Sequence, residues 1–203
     1  MIIVNFKNYV FGKETLALAR RISKVNGKVI VAVPSVDVGS VASKTKLKVY
    51  AEHVDSVSGS TTTGYVVPES VKGVGGKGVL INHSEHKISM NEIKLTVARC
   101  KKLGLETVVC VSKLGDVRKI MKFKPKAIAY EDAKLISTGK SITKYDAESV
   151  RKFASLLKGN KIVPLCGAGI SSKEDIKEAK KLGCKGVLVA SAVAKKGDVN
   201  ILK

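Results

Sequence analysis

The chain has 203 residues, of which 44% are hydrophobic and 27% charged, and this length and composition are typical of one globular domain. No apolar run approaches the roughly 18 residues of a membrane span, and the start lacks a basic leader with a cleavage site, so we expect one cytoplasmic domain over 1–203. Lys and Arg outnumber Asp and Glu by 37 to 17, but arginine and aromatic residues are few. We therefore expect a solvated, lysine-rich surface that attracts small phosphorylated anions, and we expect neither a membrane nor a nucleic-acid partner.

Four cysteines are spread along the chain without the close spacing of a zinc site or a disulfide framework. We expect all four, Cys100, Cys110, Cys166 and Cys184, to be reduced and mostly buried as small hydrophobic residues.

Short apolar segments alternate with amphipathic charged segments from one end of the chain to the other. The strand candidates, in chain order, are IIVNFK, VIVAVP, LKVYAEHV, GVLINHS, TVVCVS, AIAYE, KIVPLCG and GVLVAS. Helical patterns between them include KETLALARRISKV, MNEIKLTVARCKKL and DAESVRKFASLL. Ser89 with Glu92 has the spacing of a capping box, and Ser172 with Asp175 is a looser version. This alternation is typical of a parallel sheet covered by helices.

A weak internal repeat favours a closed barrel over an open, doubly wound sheet. KKLGLETVVCVS begins at Lys101 and KKLGCKGVLVAS at Lys180, an offset that fits three copies of a unit of roughly 26 residues. Eight such units fill the chain and match the eight strand candidates. The sequence therefore predicts a single-domain α/β fold, the (β/α)₈ barrel. Only AVAKKGDVNILK follows the last strand, which predicts a vestigial eighth helix.

Polar residues collect where the predicted strands end, at the edge that forms the active face of such a barrel. Asn5 and Lys7 lie two apart and are predicted to share one side of the first strand. His83 ends the fourth strand and Glu131 the sixth, while GAGISS and Ala190-Ser191 follow the seventh and eighth. Each residue alone has an ordinary structural explanation. Together they fit a general base, an imidazole that polarises a carbonyl, and loops that bind phosphate, which favours proton transfer next to a carbonyl.

These segments resemble the triosephosphate isomerase family in its short archaeal form. The similar segments are VNFKNY, AEHVD, TTTGY, INHSEHK, GLETVVC, AYE with LISTG, LCGAGIS and GVLVAS, and they cover essentially the whole chain in order. The resemblance implies an isomerase of glycolysis and gluconeogenesis that interconverts dihydroxyacetone phosphate and D-glyceraldehyde 3-phosphate through an enediolate. It implies no cofactor and no metal.

The resemblance also implies roles for particular residues. Glu131 corresponds to the catalytic base, His83 to the neutral electrophile, a pairing that serves as a standard example of pKa tuning, and Lys7 with Asn5 to substrate contacts. Glu85 corresponds to the carboxylate that pairs with Lys7. The implied phosphate contacts are Ile136, Ser137, Gly169, Ala190 and Ser191. Thr63 corresponds to the loop that reaches a neighbouring subunit, so a homodimer or homotetramer is implied.

Three positions depart from the family pattern: Asp132 stands where proline is usual, Ser137 where glycine is usual, and Glu52 where glutamine is usual. Loss of the proline frees φ, so we expect intact chemistry with altered closure of the loop after Glu131. Two other functions stay open at this point. One is a phosphate-binding lyase or synthase that uses Lys7 as a Schiff base, and the other is a basic barrel that binds RNA or another polyanion.

Overall fold

Eight parallel strands close into one barrel in chain order, from β1 beside β2 round to β8 beside β1. The computed structural model describes residues 1–57, 61–136 and 138–203. The strands are β1 Ile2–Asn5, β2 Ile30–Val33, β3 Lys48–Ala51, β4 Gly78–Ile81, β5 Glu106–Val111, β6 Ala127–Glu131, β7 Val163–Gly167 and β8 Gly186–Val189. Their positions confirm the predicted strands and the predicted (β/α)₈ fold class.

Helices form the outer layer of the barrel. They are α1 Lys13–Val25, α2 Val38–Lys44, α3 Pro68–Gly73, α4 Met90–Lys102, α5 Leu114–Met121, α6 Ile142–Tyr145, α7 Ala147–Leu156, α8 Lys173–Lys181 and α9 Ser191–Ala194. Both predicted N-terminal caps are complete capping boxes: the Ser89 hydroxyl accepts from the N–H of Glu92, and the Ser172 hydroxyl accepts from that of Asp175. The eighth helix is vestigial as predicted, because α9 has only 4 residues before a 3-10 turn.

The inside of the barrel is filled by side chains from alternate strand positions. Tyr50 is the largest of them and is fully buried. A Cβ at Gly78 would lie 2.6 Å from the Tyr50 ring, so only glycine leaves room for it. The Tyr50 hydroxyl donates to Glu106, and burial raises the pKa of Tyr50 well above its usual range. This pair closes the base of the barrel, where the strands begin.

A second core lies between the strands and the helices and contains most of the buried Val, Ile and Leu residues. The four cysteines are buried and free, as expected. Within the described part of the chain, none of the helices is long and apolar enough to cross a membrane. Because each helix runs antiparallel to its strand, strand ends and helix starts share one end of the molecule. We call that end the rim and the opposite end the base.

Candidate active site

A small cavity of about 30 Å³ opens at the rim, and it brings together most of the residues that the sequence singled out. Its lining comprises Asn5, Lys7, Tyr9, His83, Glu131, Ile136, Ala168, Gly169, Ile170, Leu188, Ala190 and Ser191. These residues come from strands 1, 4, 6, 7 and 8 and the loops after them. They are far apart in sequence, so the closed barrel is what places them around one cavity.

Glu131 is the last residue of β6, and its side chain fits in the space that a glycine leaves on the neighbouring strand. Its register partner on β7 is Gly167, where a Cβ would lie 2.7 Å from Glu131 Oε1 and 3.0 Å from Cγ. The Glu131 side chain is 7% exposed, and Oε2 has no hydrogen-bond partner among the described residues. A buried carboxylate oxygen without a partner is available to accept a proton from a bound substrate.

His83 faces Glu131 across the cavity, with 3.5 Å between Nε2 and Glu131 Oε2. The backbone N–H of Glu85 donates to His83 Nδ1 over 3.3 Å. Because Nδ1 accepts this bond, we assign a ring proton to Nε2. This tautomer directs an N–H into the cavity, as an electrophile for a carbonyl oxygen requires.

Lys7 reaches the cavity through a left-handed turn and not along an extended strand. β1 ends at Asn5, and Lys7 has a φ of 48°. The Asn5 Oδ1 accepts the Lys7 N–H over 3.1 Å, which stabilises this turn. The prediction that both side chains share one face of a strand is therefore wrong, although both line the cavity. The Lys7 ammonium donates to Glu85 Oε1 at 2.7 Å, so the implied pair of Lys7 and Glu85 forms.

The loop after β7 has an unusual backbone. Ala168 and Gly169 have φ values of 78° and 66°, and a Cβ at Gly169 would collide with the carbonyl of Lys140. The loop continues to Asp175, which is 2% exposed. Burial opposes its charge, but the N–H of Ser171 and nearby hydroxyls hold the pKa of Asp175 below its usual range. These bonds fix the loop that would cradle a phosphate.

The segment after Glu131 is described at residues 132–136 and 138–140, and we call it the lid. Asp132 accepts the Lys134 N–H on its side chain at 2.9 Å and the Leu135 N–H on its carbonyl at 3.0 Å, which makes an Asx turn. Ile136 extends from this turn to the cavity wall. Ser137, the remaining implied phosphate contact in the lid, lies outside the described residues.

Thr63 is exposed, in the loop between β3 and α3, and lies away from the cavity. Asp55 and Val66 join the two sides of this loop by two hydrogen bonds. The Asp55 N–H donates to the Val66 carbonyl, and the Asp55 carboxylate accepts the Val66 N–H, both at 2.8 Å. Arg99 of α4 bonds the Val57 carbonyl and, through two nitrogens, the carboxylate of Glu69. These hydrogen bonds hold the described residues on both sides of the loop in place.

Sequence reasoning left Asn82 unassigned and did not single out Tyr9. Asn82 is 9% exposed with a φ of 58°. Its amide donates to the Cys110 carbonyl at 2.8 Å, and its oxygen accepts from the N–H of Ile88 at 3.1 Å. Asn82 therefore shapes the loop that carries His83. The Tyr9 ring lines the cavity, 6.0 Å from Lys7 Nζ. The sequence does contain an indication of the role of Asn82, because an asparagine directly after an apolar strand is a residue that adopts left-handed turns.

A (β/α)₈ barrel with a buried carboxylate facing an imidazole, beside an ammonium and a fixed loop, defines an enzyme that moves a proton on a small anionic carbonyl compound. The family model described as triosephosphate isomerase matches residues 1–202, and the chain belongs to this family.

Named triosephosphate isomerases are similar along nearly the whole chain. The protein from Metallosphaera sedula is 40% identical over 96% of this chain and 89% of its own length. That from Methanocaldococcus jannaschii is 36% identical over 98% and 94%. The crystal structure of triosephosphate isomerase from Bartonella henselae shares the fold, with a TM-score of 0.76, 19% identity, and coverage of 98% of this chain and 94% of that one.

Proposed function

We propose that the chain interconverts dihydroxyacetone phosphate and D-glyceraldehyde 3-phosphate with Glu131 as the base and His83 as the electrophile. Glu131 would take the proton from C1 of the ketose and return it to C2 of the enediolate. The N–H of His83 would polarise the carbonyl and stabilise the developing oxyanion. The observation that carries this proposal is the 3.5 Å approach of His83 Nε2 to the unpartnered Glu131 Oε2. A planar enediolate lying beside these two atoms would contact both groups.

Substrate binding would depend on charge and on backbone donors. Lys7, 11% exposed at its side chain, would attract the dianionic phosphate and the oxyanion, while Asn5 holds its turn. The N–H groups at Ala190 and Ser191 begin a helix, and the first N–H groups of a helix have no acceptor within it. With Gly169 and the lid residues Ile136 and Ser137, they would form the phosphate site.

The ion pair of Lys7 with Glu85 favours this assignment over a Schiff-base lyase. An amine that attacks a carbonyl needs a free lone pair, whereas Lys7 Nζ donates to the Glu85 carboxylate at 2.7 Å. The backbone N–H of Glu85 also donates to His83 Nδ1 over 3.3 Å. Glu85 thus restrains both neighbouring side chains.

We further propose that the enzyme acts in the cytoplasm and self-associates as a homodimer or homotetramer through the loop around Thr63. Two observations support this proposal. The bonds between Asp55 and Val66 join the two sides of the loop, and Tyr65 in the loop is 53% exposed. An exposed aromatic residue on a loop is a typical anchor at an interface. None of the described residues of this loop lines the cavity.

The test is a coupled isomerase assay in both directions on wild type and on the Glu131→Gln variant. Glutamine keeps the shape of the side chain but accepts no proton at this pH, so kcat should fall about 10²- to 10⁴-fold. Exposed Glu14 supplies the matched control, Glu14→Gln, which should leave kcat unchanged. Absence of turnover by wild type on either triose phosphate, or a Glu131→Gln variant with full activity, would refute the proposal.

A further inference from the structure

The base of the barrel, opposite the active site, is surrounded by lysines. Six of the eight strands have an exposed lysine at their first residue or within the two residues before it. These residues, which we call the lysine ring, are Lys28, Lys48, Lys77, Lys126, Lys161 and Lys185. Because all strands are parallel and the barrel is closed, the six side chains surround the same end of the barrel.

Acidic residues are nearly absent from this end of the molecule. We consider the segments that run from the last turn of a helix to the first residue of the next strand. Their acidic residues in the described chain are Glu106 and Glu178. More than half of the 37 basic residues lie in these same segments. Glu106 pairs with Lys48 at 3.0 Å and Lys126 at 3.8 Å, and Glu178 pairs with Lys181 at 3.0 Å. The base therefore keeps a large excess of positive charge.

The barrel holds the backbone of the ring in place. The N–H of Lys77 donates to the Val49 carbonyl at 2.8 Å, and that of Lys185 donates to the Pro164 carbonyl at 2.8 Å. The carbonyl of Lys185 accepts the N-terminal ammonium of Met1, also at 2.8 Å. The strand ladder therefore fixes the point at which each lysine leaves the barrel, so the ring carries its charges at defined positions around the base.

Two open clefts lie beside the ring, with volumes of about 720 and 660 Å³, and they share residues 159–162. Lys101, Lys124, Lys126 and Lys161 line the first, whose one acidic lining residue is Glu106. A concave surface with charges of one sign strengthens the local field. The field at this base is therefore stronger than scattered surface lysines would give.

The chemistry of the base favours a polyphosphate backbone. Among the exposed large hydrophobic residues of the described chain, Val74 alone lies in a segment from helix to strand. Without exposed aromatic rings, the base has no platform for stacking single-stranded bases and no anchor for a peptide. Lysine ammonium groups contact phosphates as point charges and carry no sequence information.

We propose that the base of the barrel, centred on the lysine ring, binds the phosphate backbone of double-stranded nucleic acid without regard to sequence. The sequence had led us to expect no nucleic-acid surface, because lysines that alternate along the chain do not reveal that the fold collects them at one end. This binding does not depend on the isomerase reaction, since the ring and the rim lie at opposite ends of the strands.

The test measures anisotropy of a labelled duplex of about 20 base pairs, as DNA and as RNA, between about 50 and 200 mM salt. The ring variant carries Lys28→Gln, Lys77→Gln, Lys161→Gln and Lys185→Gln, and leaves the pairs with Glu106 intact. A matched variant removes the same charge from exposed lysines of other surfaces, Lys13, Lys94, Lys173 and Lys177. Isomerase kcat/KM, measured on each protein, reports that the barrel is folded.

Wild type should bind both duplexes, with log K falling linearly with log salt. The ring variant should lose about tenfold or more in affinity at about 50 mM salt, with a slope smaller by about 3 to 4, since each lost phosphate contact contributes about 0.9. The matched variant should bind nearly as wild type. No binding by wild type, equal losses in both variants, or equally tight binding of polyglutamate, which would indicate an acidic protein partner, would each overturn the proposal.

Discussion

At the scale of single residues, the position of Glu131 depends on Gly167. We predict that Gly167→Ala displaces the Glu131 carboxylate, because the added Cβ would lie 2.7 Å from Oε1. A misplacement of about 1 Å from the reacting carbon should lower kcat about 10²-fold. Steady-state kinetics measure this effect. Gly115→Ala is the control, since a Cβ there meets nothing within 4 Å, and an unchanged kcat for Gly167→Ala would contradict the prediction.

Glu52 should make stability depend on pH. Burial raises the pKa of Glu52 to about 7 against the attraction of Lys7, while Glu85 and Asp37 add to the rise. A raised pKa means that the folded protein binds the carboxyl proton more tightly than the unfolded chain does. Glu52 therefore contributes its full stability at pH values below 4.5, the pKa of the unfolded chain. That contribution falls as pH rises and is lost above about 7. A shift of this size corresponds to about 3 kcal/mol.

The measurement is urea unfolding of wild type and Glu52→Gln from acid to neutral pH. Glutamine does not ionise, so the variant should lack most of this decline and be the more stable protein at neutral pH. Glu14→Gln, at an exposed position, should follow the wild-type curve. If the unfolding free energies of wild type and Glu52→Gln changed with pH in parallel, the ionisation of buried Glu52 would not lower stability, and the prediction would be wrong.

Residue identities at the rim could be predicted from sequence, but the geometry that makes them effective could not. His83, Glu131 and Lys7 were found because they follow apolar strands. The clearance at Gly167 depends on the register of β6 with β7, which distant segments decide together. The turn at Lys7 was missed because Asn5 stabilises it through one side-chain bond, and local patterns do not reveal such bonds.

At the scale of elements, the lid begins with a hydrogen bond where the family usually has a proline ring. The Asp132 side chain accepts the Lys134 N–H and restricts the same turn that a proline would restrict. We therefore expect lid closure to depend on the Asp132 side-chain acceptor more than on the loss of the proline ring.

We predict that Asp132→Ala raises KM for both triose phosphates about fivefold, which corresponds to one lost hydrogen bond of about 1 kcal/mol. Asp132→Asn keeps the acceptor without the charge and should stay within about twofold of wild type. Steady-state kinetics of both variants separate the two effects. A large rise in KM for Asp132→Asn would show that the charge matters, and that the turn does not.

Element positions were the most predictable level of structure. Buried parallel strands need apolar runs, and capped helices need an apolar face, so both leave strong local signals. α1 begins and ends at the residues that its pattern indicated. The lid and the loop after β3 lack such periodicity, because a few specific hydrogen bonds determine their shape.

At the scale of the whole molecule, the loop around Thr63 is the proposed contact between subunits. We predict that Thr63→Arg lowers the sedimentation coefficient toward that of one chain, because an added guanidinium on a packed interface must be desolvated. Ser155→Arg, at another exposed position, should leave sedimentation unchanged. Identical sedimentation of wild type and Thr63→Arg would place the interface elsewhere.

The net charge illustrates what composition alone conceals at this scale. From the formal charge of +20 alone we expect a lysine-rich, solvated surface. The fold instead gathers lysines at the strand starts and places most carboxylates near the rim, where helix N-termini favour them. The direction of each strand decides which end a residue occupies, so the asymmetry becomes visible once the barrel is closed.

The seal that Tyr50 and Glu106 form at the base also bears on isotope exchange during turnover. Because Tyr50 fills the barrel beneath the active site, water approaches Glu131 by way of the mouth, past the lid. A deuteron that Glu131 removed from substrate, in its proposed role as the base, would exchange with solvent while the mouth is open. The fraction of label retained in the product therefore serves as a clock for lid closure, and Asp132→Ala should retain less of it than wild type.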